Sequence, residues 1–515
     1  MSMPKAKKVR NAVIATVVAL GLGVGGVFAY RMANAGPGTE FVSRDGATFM
    51  LDGKPFAFAG TNNYRPMFSG TEIVDKIMAA TADNHFQVLR TWAFNDIGRQ
   101  DGTDSVDPSN TTKYFHYWDG KQPAFNDGED GLKMLDYVIA SAKKHNVKLI
   151  LPLVNNWGPF GGMDQYVRWA GLPYHSDFYT DAKVRQWYKD WASHLLNRVN
   201  TITGVKYKDD PTIMAWELAN EPRCAASGTY QPNPSCNTDT ITAWAKEMSG
   251  YVRSVDGNHL IGLGDEGFIC DPAGNDWTLD CSQGVDARAI AALDNIDMVG
   301  LHLYPDWWKH DAAWSTEYIK KHLAIGDEFK KPVFLGEYGW KGTTTRNVVF
   351  KQWLDAFQAG GGDGANFWMM QPHDESYNPS DLDGFTVYCP SPVCTQVANR
   401  SVSMGGGASD FAPVADGDSE ATAFGKPVAV DVLKDDISYG SALDPATIDL
   451  DPKTDGVQAT LTLPEGVLTA SADGIVTATP AAGFSGSIEA SYTVSDTSGK
   501  VSNVADLSVN VAAAS

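Results

Sequence analysis

The chain has 515 residues, 43% of them hydrophobic, with 41 basic against 62 acidic side chains and a formal net charge of −21. This length exceeds the roughly 250–300 residues at which a single core stops growing, so more than one domain is expected. The apolar share excludes wholesale disorder, and six cysteines in such a length exclude a disulfide scaffold without a core. The acidic field excludes nucleic acid and anionic membrane surfaces as partners, leaving a neutral or cationic ligand, or a polymer held by stacking.

At the start, Lys5, Lys7, Lys8 and Arg10 precede an apolar run over 12–29, and Ala33-Asn34-Ala35 forms a small-x-small cleavage pattern. Residues 1–35 therefore read as a signal peptide of a secreted, extracellular protein. An uncleaved membrane anchor is the alternative, since the run is about long enough to span a bilayer. The Gly21-x-Gly23-x-x-Gly26 string inside it has no strand before it and is not a nucleotide fingerprint.

From 36 to 394, eight short apolar runs occur at 56–64, 88–94, 148–156, 213–222, 259–267, 297–305, 332–340 and 364–372. Stretches with helical spacing, such as 131–146 and 181–200, lie between them. Strands alternating with helices predict an α/β fold, a (β/α)₈ TIM barrel with long loops. Barrel chemistry sits at the C-terminal strand ends, and these ends carry Asn62-Asn63-Tyr64, Arg90-Thr91-Trp92, Asn155-Asn156-Trp157, Asn220-Glu221-Pro222, Asp265-Glu266, His302-x-Tyr304, Glu337-Tyr338 and Trp368.

Taken alone, Glu221 reads as a cap for the next helix, and so does Glu337. Together they end strands four and seven, which face each other across the barrel mouth, and two carboxylates so placed are what glycoside hydrolysis requires. Arg90 is expected to keep Glu337 ionised, and Asn220 to hydrogen-bond substrate without adding charge. His302 and Tyr304 share one strand face. Trp92, Trp157 and Trp368 are candidates for stacking on sugars, whereas Trp187, Trp191, Trp244 and Trp353 are assigned to packing. His373-Asp374-Glu375 reads as a loop, because adjacent residues rarely converge on one ion. No metal or organic cofactor is implied.

Cys224 with Cys236, Cys270 with Cys281 and Cys389 with Cys394 are neighbours in loops. Six cysteines allow about fifteen connectivities, and short loops favour these three pairs. All fifteen tryptophans lie between Trp92 and Trp368. The stretch 395–425 turns Gly/Ser/Ala/Asp-rich and reads as a linker. Over 426–515, short alternating runs split by Asp/Gly turns predict a C-terminal all-β sandwich module.

The set Arg90, Asn220-Glu221-Pro222, His302-x-Tyr304, Glu337 and Trp368 resembles glycoside hydrolase family 5. Five longer strings are similar to the endo-β-1,4-mannanases of fungi and plants: Val88-Leu-Arg-Thr-Trp-Ala-Phe-Asn95, Leu153-Val-Asn-Asn-Trp157, Gly161-Gly-Met-Asp-Gln-Tyr-Val167, Trp216-Glu-Leu-Ala-Asn-Glu-Pro-Arg-Cys224 and His302-Leu-Tyr-Pro-Asp-x-Trp308. The resemblance implies that Glu221 is the acid/base and Glu337 the nucleophile, with Arg90 supporting the latter. It also implies active-centre roles for Asn220, His302 and Tyr304, an aglycone-side contact for Arg223, aromatic cleft positions for Trp92 and Trp157, and a stacking platform at Trp368. The loop 225–235 is longer than that pattern leads one to expect. The C-terminal module resembles bacterial cadherin-like or Ig-like repeats and is expected to act as a spacer or as a cell-surface or polysaccharide contact.

The resulting expectation is a secreted, retaining endo-β-1,4-mannanase whose partner is a β-mannan polysaccharide. Another retaining β-glycanase, an exo-mannosidase and a non-catalytic polysaccharide-binding protein are the competing readings.

Overall fold

Eight parallel strands occupy the eight apolar runs of this computed structural model, which describes residues 40–225, 228–373 and 383–514. They are β1 (Phe58–Asn62), β2 (Val88–Arg90), β3 (Lys148–Pro152), β4 (Ile213–Glu217), β5 (Leu260–Gly262), β6 (Val299–Leu303), β7 (Val333–Tyr338) and β8 (Gly364–Phe367). Hydrogen-bonded neighbours follow the order β5-β4-β3-β2-β1-β8-β7-β6. The seam between β5 and β6 is bridged by Asp297 N donating to Ile261 O (2.8 Å) and His302 N to Glu266 O (3.3 Å). Both strand faces are covered, which is why the runs are almost continuously apolar.

A helix after each strand packs outside: α1 (Thr71–Asp83), α2 (Leu132–Lys144), α3 (Ala182–Asn197), α4 (Thr238–Val255), α5 (Ala287–Ala291), α6 (Ala312–Phe329), α7 (Arg346–Ala359) and α8 (Pro392–Met404). Trp187, Trp191, Trp244 and Trp353 are buried, as expected of packing residues. A short meander of Ser43–Asp45, Thr48–Leu51 and Lys54–Pro55 plugs the lower end, with Phe49 and Phe56 packed on Phe58, Ile150 and Phe334. Polar chemistry is thereby confined to the other end, where the strands finish. The three expected disulfides are present. The leader expected over 1–35 lies outside the described residues, as do Asp374 and Glu375.

The linker expected over 395–425 needs correction. Helix α8 runs through Met404, with Pro392 in its first turn and Ser391 capping Cys394 N. Val393, Val397, Ser401 and Met404 are its buried face, a helical spacing carried by too few apolar residues to outweigh the small polar ones around them. Val414 pairs with Ile437, Ala415 enters the core of the C-terminal module, and the strand Asp418–Thr422 belongs to it too, so the connection shrinks to about 405–413.

The module is a sandwich of two four-stranded sheets. With β9 (Asp418–Thr422), β10 (Val428–Asp431), β11 (Leu443–Asp449), β12 (Thr460–Leu463), β13 (Gly466–Ala470), β14 (Ile475–Pro480), β15 (Gly486–Asp496) and β16 (Ala505–Val511), the sheets read β9-β16-β15-β11 and β10-β14-β13-β12. Val430, Val476, Ile488, Leu507 and Val509 fill the space between them. Tyr492 is also buried there, its hydroxyl 2.8 Å from the carbonyl oxygens of Asp416 and Val432.

Burial pushes Asp435 up to about 7 and Asp436 to about 8. In the barrel, burial likewise raises Asp265 and Asp363 to about 7. Groups whose folded pKa lies above the unfolded value of about 4 bind protons more tightly when folded, so the stability they contribute is full below that value and lost as pH rises through about 7–8. Thermal unfolding is expected at a lower temperature near pH 8.5 than near pH 5.5. A midpoint that climbs over this window would contradict the raised values of these buried carboxyls.

Candidate active site

Glu337 projects from β7, and Glu221 lies four residues beyond the end of β4. Beyond β4 the chain keeps pairing with the β5 side, since Leu218 N donates to Gly262 O, Ala219 N to Leu263 O and Glu221 N to Gly264 O. Glu221 then takes a left-handed backbone with φ 53°, a conformation that costs a non-glycine residue about 1 kcal/mol and that clusters at functional sites. Pro222 follows and ends the ladder.

Arg90 is completely buried beneath the two glutamates. Its Nη1 donates to Glu337 Oε1 (2.5 Å), Nη2 to Asn220 Oδ1 (2.9 Å) and Nε to Glu217 Oε2 (2.7 Å). Tyr304 donates its hydroxyl to Glu337 Oε2 (2.5 Å). Asn220, expected to face substrate, has its Oδ1 taken by Arg90 while its Nδ2 donates to Asn155 Oδ1 (3.0 Å). It therefore ties the end of β4 to Arg90 and to the β3 loop.

Glu221 has different company. Its Oε2 accepts from Trp157 Nε1 (2.5 Å), and its Oε1 lies 2.8 Å from His302 Nδ1. That ring nitrogen is also 3.7 Å from Glu337 Oε2. Burial, with help from Arg90, lowers His302 to about 3, so it is neutral at working pH. One oxygen from each glutamate and a ring nitrogen of His302 lie within 4.8 Å of one another.

Burial raises Glu221 and raises Glu337 well above the ordinary carboxylate range, with Arg90 opposing it at both. Two carboxylates this close hold one proton between them. Burial alone would leave that proton on Glu337. The direct bonds favour the opposite arrangement, because a guanidinium and a hydroxyl both donate to Glu337, whereas Glu221 meets only neutral partners, the Trp157 indole and the His302 imidazole. That contrast favours the negative charge on Glu337 and the proton on Glu221.

The cleft above them measures about 1070 Å³. Trp368 stacks on Tyr64 (5.8 Å, 13° between planes) and on Trp92 (5.6 Å, 29°), and its Nε1 donates to Asp383 Oδ2 (2.7 Å). Trp92 is only 5% exposed and lies over Arg90 at 4.9 Å, so it backs the Trp368 platform more than it offers a face of its own. Trp157 likewise acts as a donor to Glu221, with its ring under the Arg223 guanidinium at 5.1 Å. Arg223 is held by Glu266 through Nε (2.5 Å) and Nη2, and rests against Phe268 and Trp277 at 4.7 and 5.5 Å. Trp277, Trp307 and Thr229 also line the cleft. Thr229 comes from the long 225–235 loop, which is pinned at its base by Cys224–Cys236.

Among these groups, Glu217, Trp277 and Trp307 are given no part by the sequence reading. Glu217 lies inside an apolar run, where nothing in the local pattern marks it. Trp307 is half exposed, and the doubled Trp307-Trp308 was a signal that went unused.

Residues 39–369 match a family model described as GH family 5 beta-mannosidase-like, and residues 410–510 match a bacterial Ig domain. Mannan endo-1,4-beta-mannosidase A of Podospora anserina is 35% identical over 374 residues, covering 72% of this chain and 92% of its own. The Aspergillus aculeatus protein of the same name is 34% identical, covering 68% and 86%. Among solved structures, the endo-1,4-beta-mannanase of Rhizomucor miehei superposes with a TM-score of 0.66 at 38% identity, over 71% of this chain and 99% of that one. The endo-beta-1,4-mannanase of Thermotoga petrophila gives 0.65 at 31%, over 90% and 100%.

Proposed function

The chain belongs to glycoside hydrolase family 5, and from that membership we propose an endo-β-1,4-mannanase that cleaves with retention of configuration. The relatives it matches carry that activity in their names. The cleft exceeds the roughly 300–1,000 Å³ of ordinary small-molecule sites, leaving space for a run of sugars rather than one. The observation that carries the mechanism is the close approach of two carboxylates with unlike partners. An oxygen of each within 4.8 Å of the other suits the separation of about 5–5.5 Å used by retaining enzymes better than the about 6.5–9.5 Å at which inverting enzymes seat a water.

In the first step Glu337 attacks the anomeric carbon and the glycosidic bond breaks, with its electron pair leaving on the departing oxygen. Glu221 protonates that oxygen as it leaves. In the second step Glu221, now ionised, takes a proton from water, which attacks the same carbon and displaces Glu337. Tyr304 and Arg90 keep Glu337 ionised and aimed, while Trp157 and His302 fix the Glu221 carboxyl. Trp368, backed by Tyr64 and Trp92, stacks on the sugar at the cleavage point, and Arg223 with the 225–235 loop meets the departing side.

The three loop disulfides suit an oxidising compartment, and with the basic–apolar leader they support secretion. Among the described residues, no helix is long and apolar enough to cross a membrane. The Ig domain then serves as a spacer or contact module toward cell surface or polysaccharide.

Product analysis on mannan, galactomannan, cellulose and xylan tests the substrate. Mixed short manno-oligosaccharides from the first two are expected. Mannose alone would replace the endo reading with an exo one, and cleavage confined to cellulose or xylan would overturn the substrate while leaving the chemistry.

A further inference from the structure

We propose that Glu217 is a positioning residue of this reaction, aiming Arg90 at Glu337 from inside the barrel and drawing off part of its charge. The inference rests on the reading of Glu337 as nucleophile. Glu217 is 1% exposed, and its Oε2 accepts from Arg90 Nε at 2.7 Å. Arg90 is thus a single buried cation whose Nε, Nη1 and Nη2 make their shortest bonds to Glu217, Glu337 and Asn220 in turn, one to each nitrogen of its rigid fork. The bond at Nε fixes the rotation of the guanidinium plane, and that rotation sets where Nη1 and Nη2 point. Without it, only the bonds to Glu337, Asn220 and the more distant Asn62 Oδ1 (3.4 Å) orient the group.

The fold is arranged around this pair. Pairing of β4 with β3 shifts register between Ile213 and Ala215, and Trp216, next to Glu217, donates outward to Asp256 Oδ2 (2.8 Å). On β5's extension, Gly264 has φ +84°, and a Cβ there would stand 2.9 Å from Glu217 Oε2 and 2.0 Å from Ala219 O. The carboxylate occupies space that only glycine leaves open.

Electrostatically, Glu337 faces Arg90, Glu217, Glu221, His302 and Tyr304, while Glu217 faces Arg90, Asp265 and His302. The charge of Glu217 adds to the factors raising Glu337. Neutralising Glu217 leaves the whole of Arg90's charge to Glu337, which makes that carboxylate more acidic and a weaker nucleophile.

The test compares Glu217→Gln and Glu217→Asp with the unmodified full chain, reading kcat, KM and the pH profile on mannopentaose alongside thermal unfolding. Gln keeps an acceptor for Nε and loses the charge, so the acid limb of kcat/KM is expected to move down by about one pH unit while kcat falls and KM holds. Asp keeps the charge and shortens the reach, so kcat falls with the acid limb in place. A purely structural ion pair would lower the unfolding temperature and leave the limb of Glu217→Gln where it was, and that result overturns the proposal. If Glu217→Gln does not fold, an unchanged kcat in Glu217→Asp overturns it instead. Glu337→Ala assayed in parallel with azide keeps the two readings apart. Azide rescue together with an unmoved limb removes only the role of Glu217, whereas failed rescue removes the nucleophile assignment beneath it.

Discussion

Replacing Glu337 with alanine is expected to lower kcat on mannan by on the order of 10⁴-fold or more, because the covalent intermediate can no longer form. That corresponds to at least about 5–6 kcal/mol of lost transition-state stabilisation. The fold should survive: Arg90 keeps Glu217 at Nε and Asn220 at Nη2, so its buried charge is not left uncompensated. Azide entering the vacated space attacks the anomeric carbon from the side Glu337 used, Glu221 still protonates the leaving oxygen, and the product is an α-mannosyl azide. Thermal unfolding controls for folding, and the anomeric configuration of the azide identifies which face was attacked. A folded Glu337→Ala protein within tenfold of the original, or a β-azide as its product, would refute the assignment.

What the sequence made legible depended on whether a residue's role was written into its neighbours. Glu221 and Glu337 stood out because each ends an apolar run, where a charge needs a reason, and Pro222 marks the end of the ladder beside the first. The eight strands stood out because strands covered on both faces leave long apolar runs. Glu217 did not stand out, since it sits inside such a run and its partner Arg90 is 127 residues away. Whether it points inward is set by a register shift in β4 that no periodicity reports. Trp92 and Trp157 were recognised as cleft residues, but their tasks depend on the groups that tertiary packing sets against them, Trp368 and Arg90 for one, Arg223 and Glu221 for the other. Helix α8 was hidden by composition, because its buried Val393, Val397 and Met404 are interspersed with Thr, Gln, Asn, Arg and Ser and run directly into a Gly/Ala/Ser/Asp stretch. Proximity in space is the common element in what was missed.

Glu221→Gln separates the two steps more sharply than any change at Glu337. Glutamine keeps the shape of the carboxyl and an acceptor for Trp157, but it has no proton to give. On mannan, whose leaving sugar alkoxide is strongly basic, kcat/KM is expected to fall by about 10²–10⁴-fold, the usual worth of a positioned general acid. On a dinitrophenyl mannobioside the leaving group departs without protonation, so the first step keeps nearly its full rate. Hydrolysis of the intermediate still needs Glu221 as base, and the phenol should therefore appear in a burst followed by slow turnover. Azide, which needs no base, should speed that turnover and yield a β-azide, having met the intermediate on the face Glu221 guards. The alkaline limb of the pH profile should vanish as well, since it reports the loss of the Glu221 proton, while the acid limb set by Glu337 remains. Equal losses on the polymer and the activated substrate would mean that Glu221 serves binding rather than proton transfer, and the division of labour drawn from its short bond to Trp157 and its place beside neutral His302 would have to be abandoned.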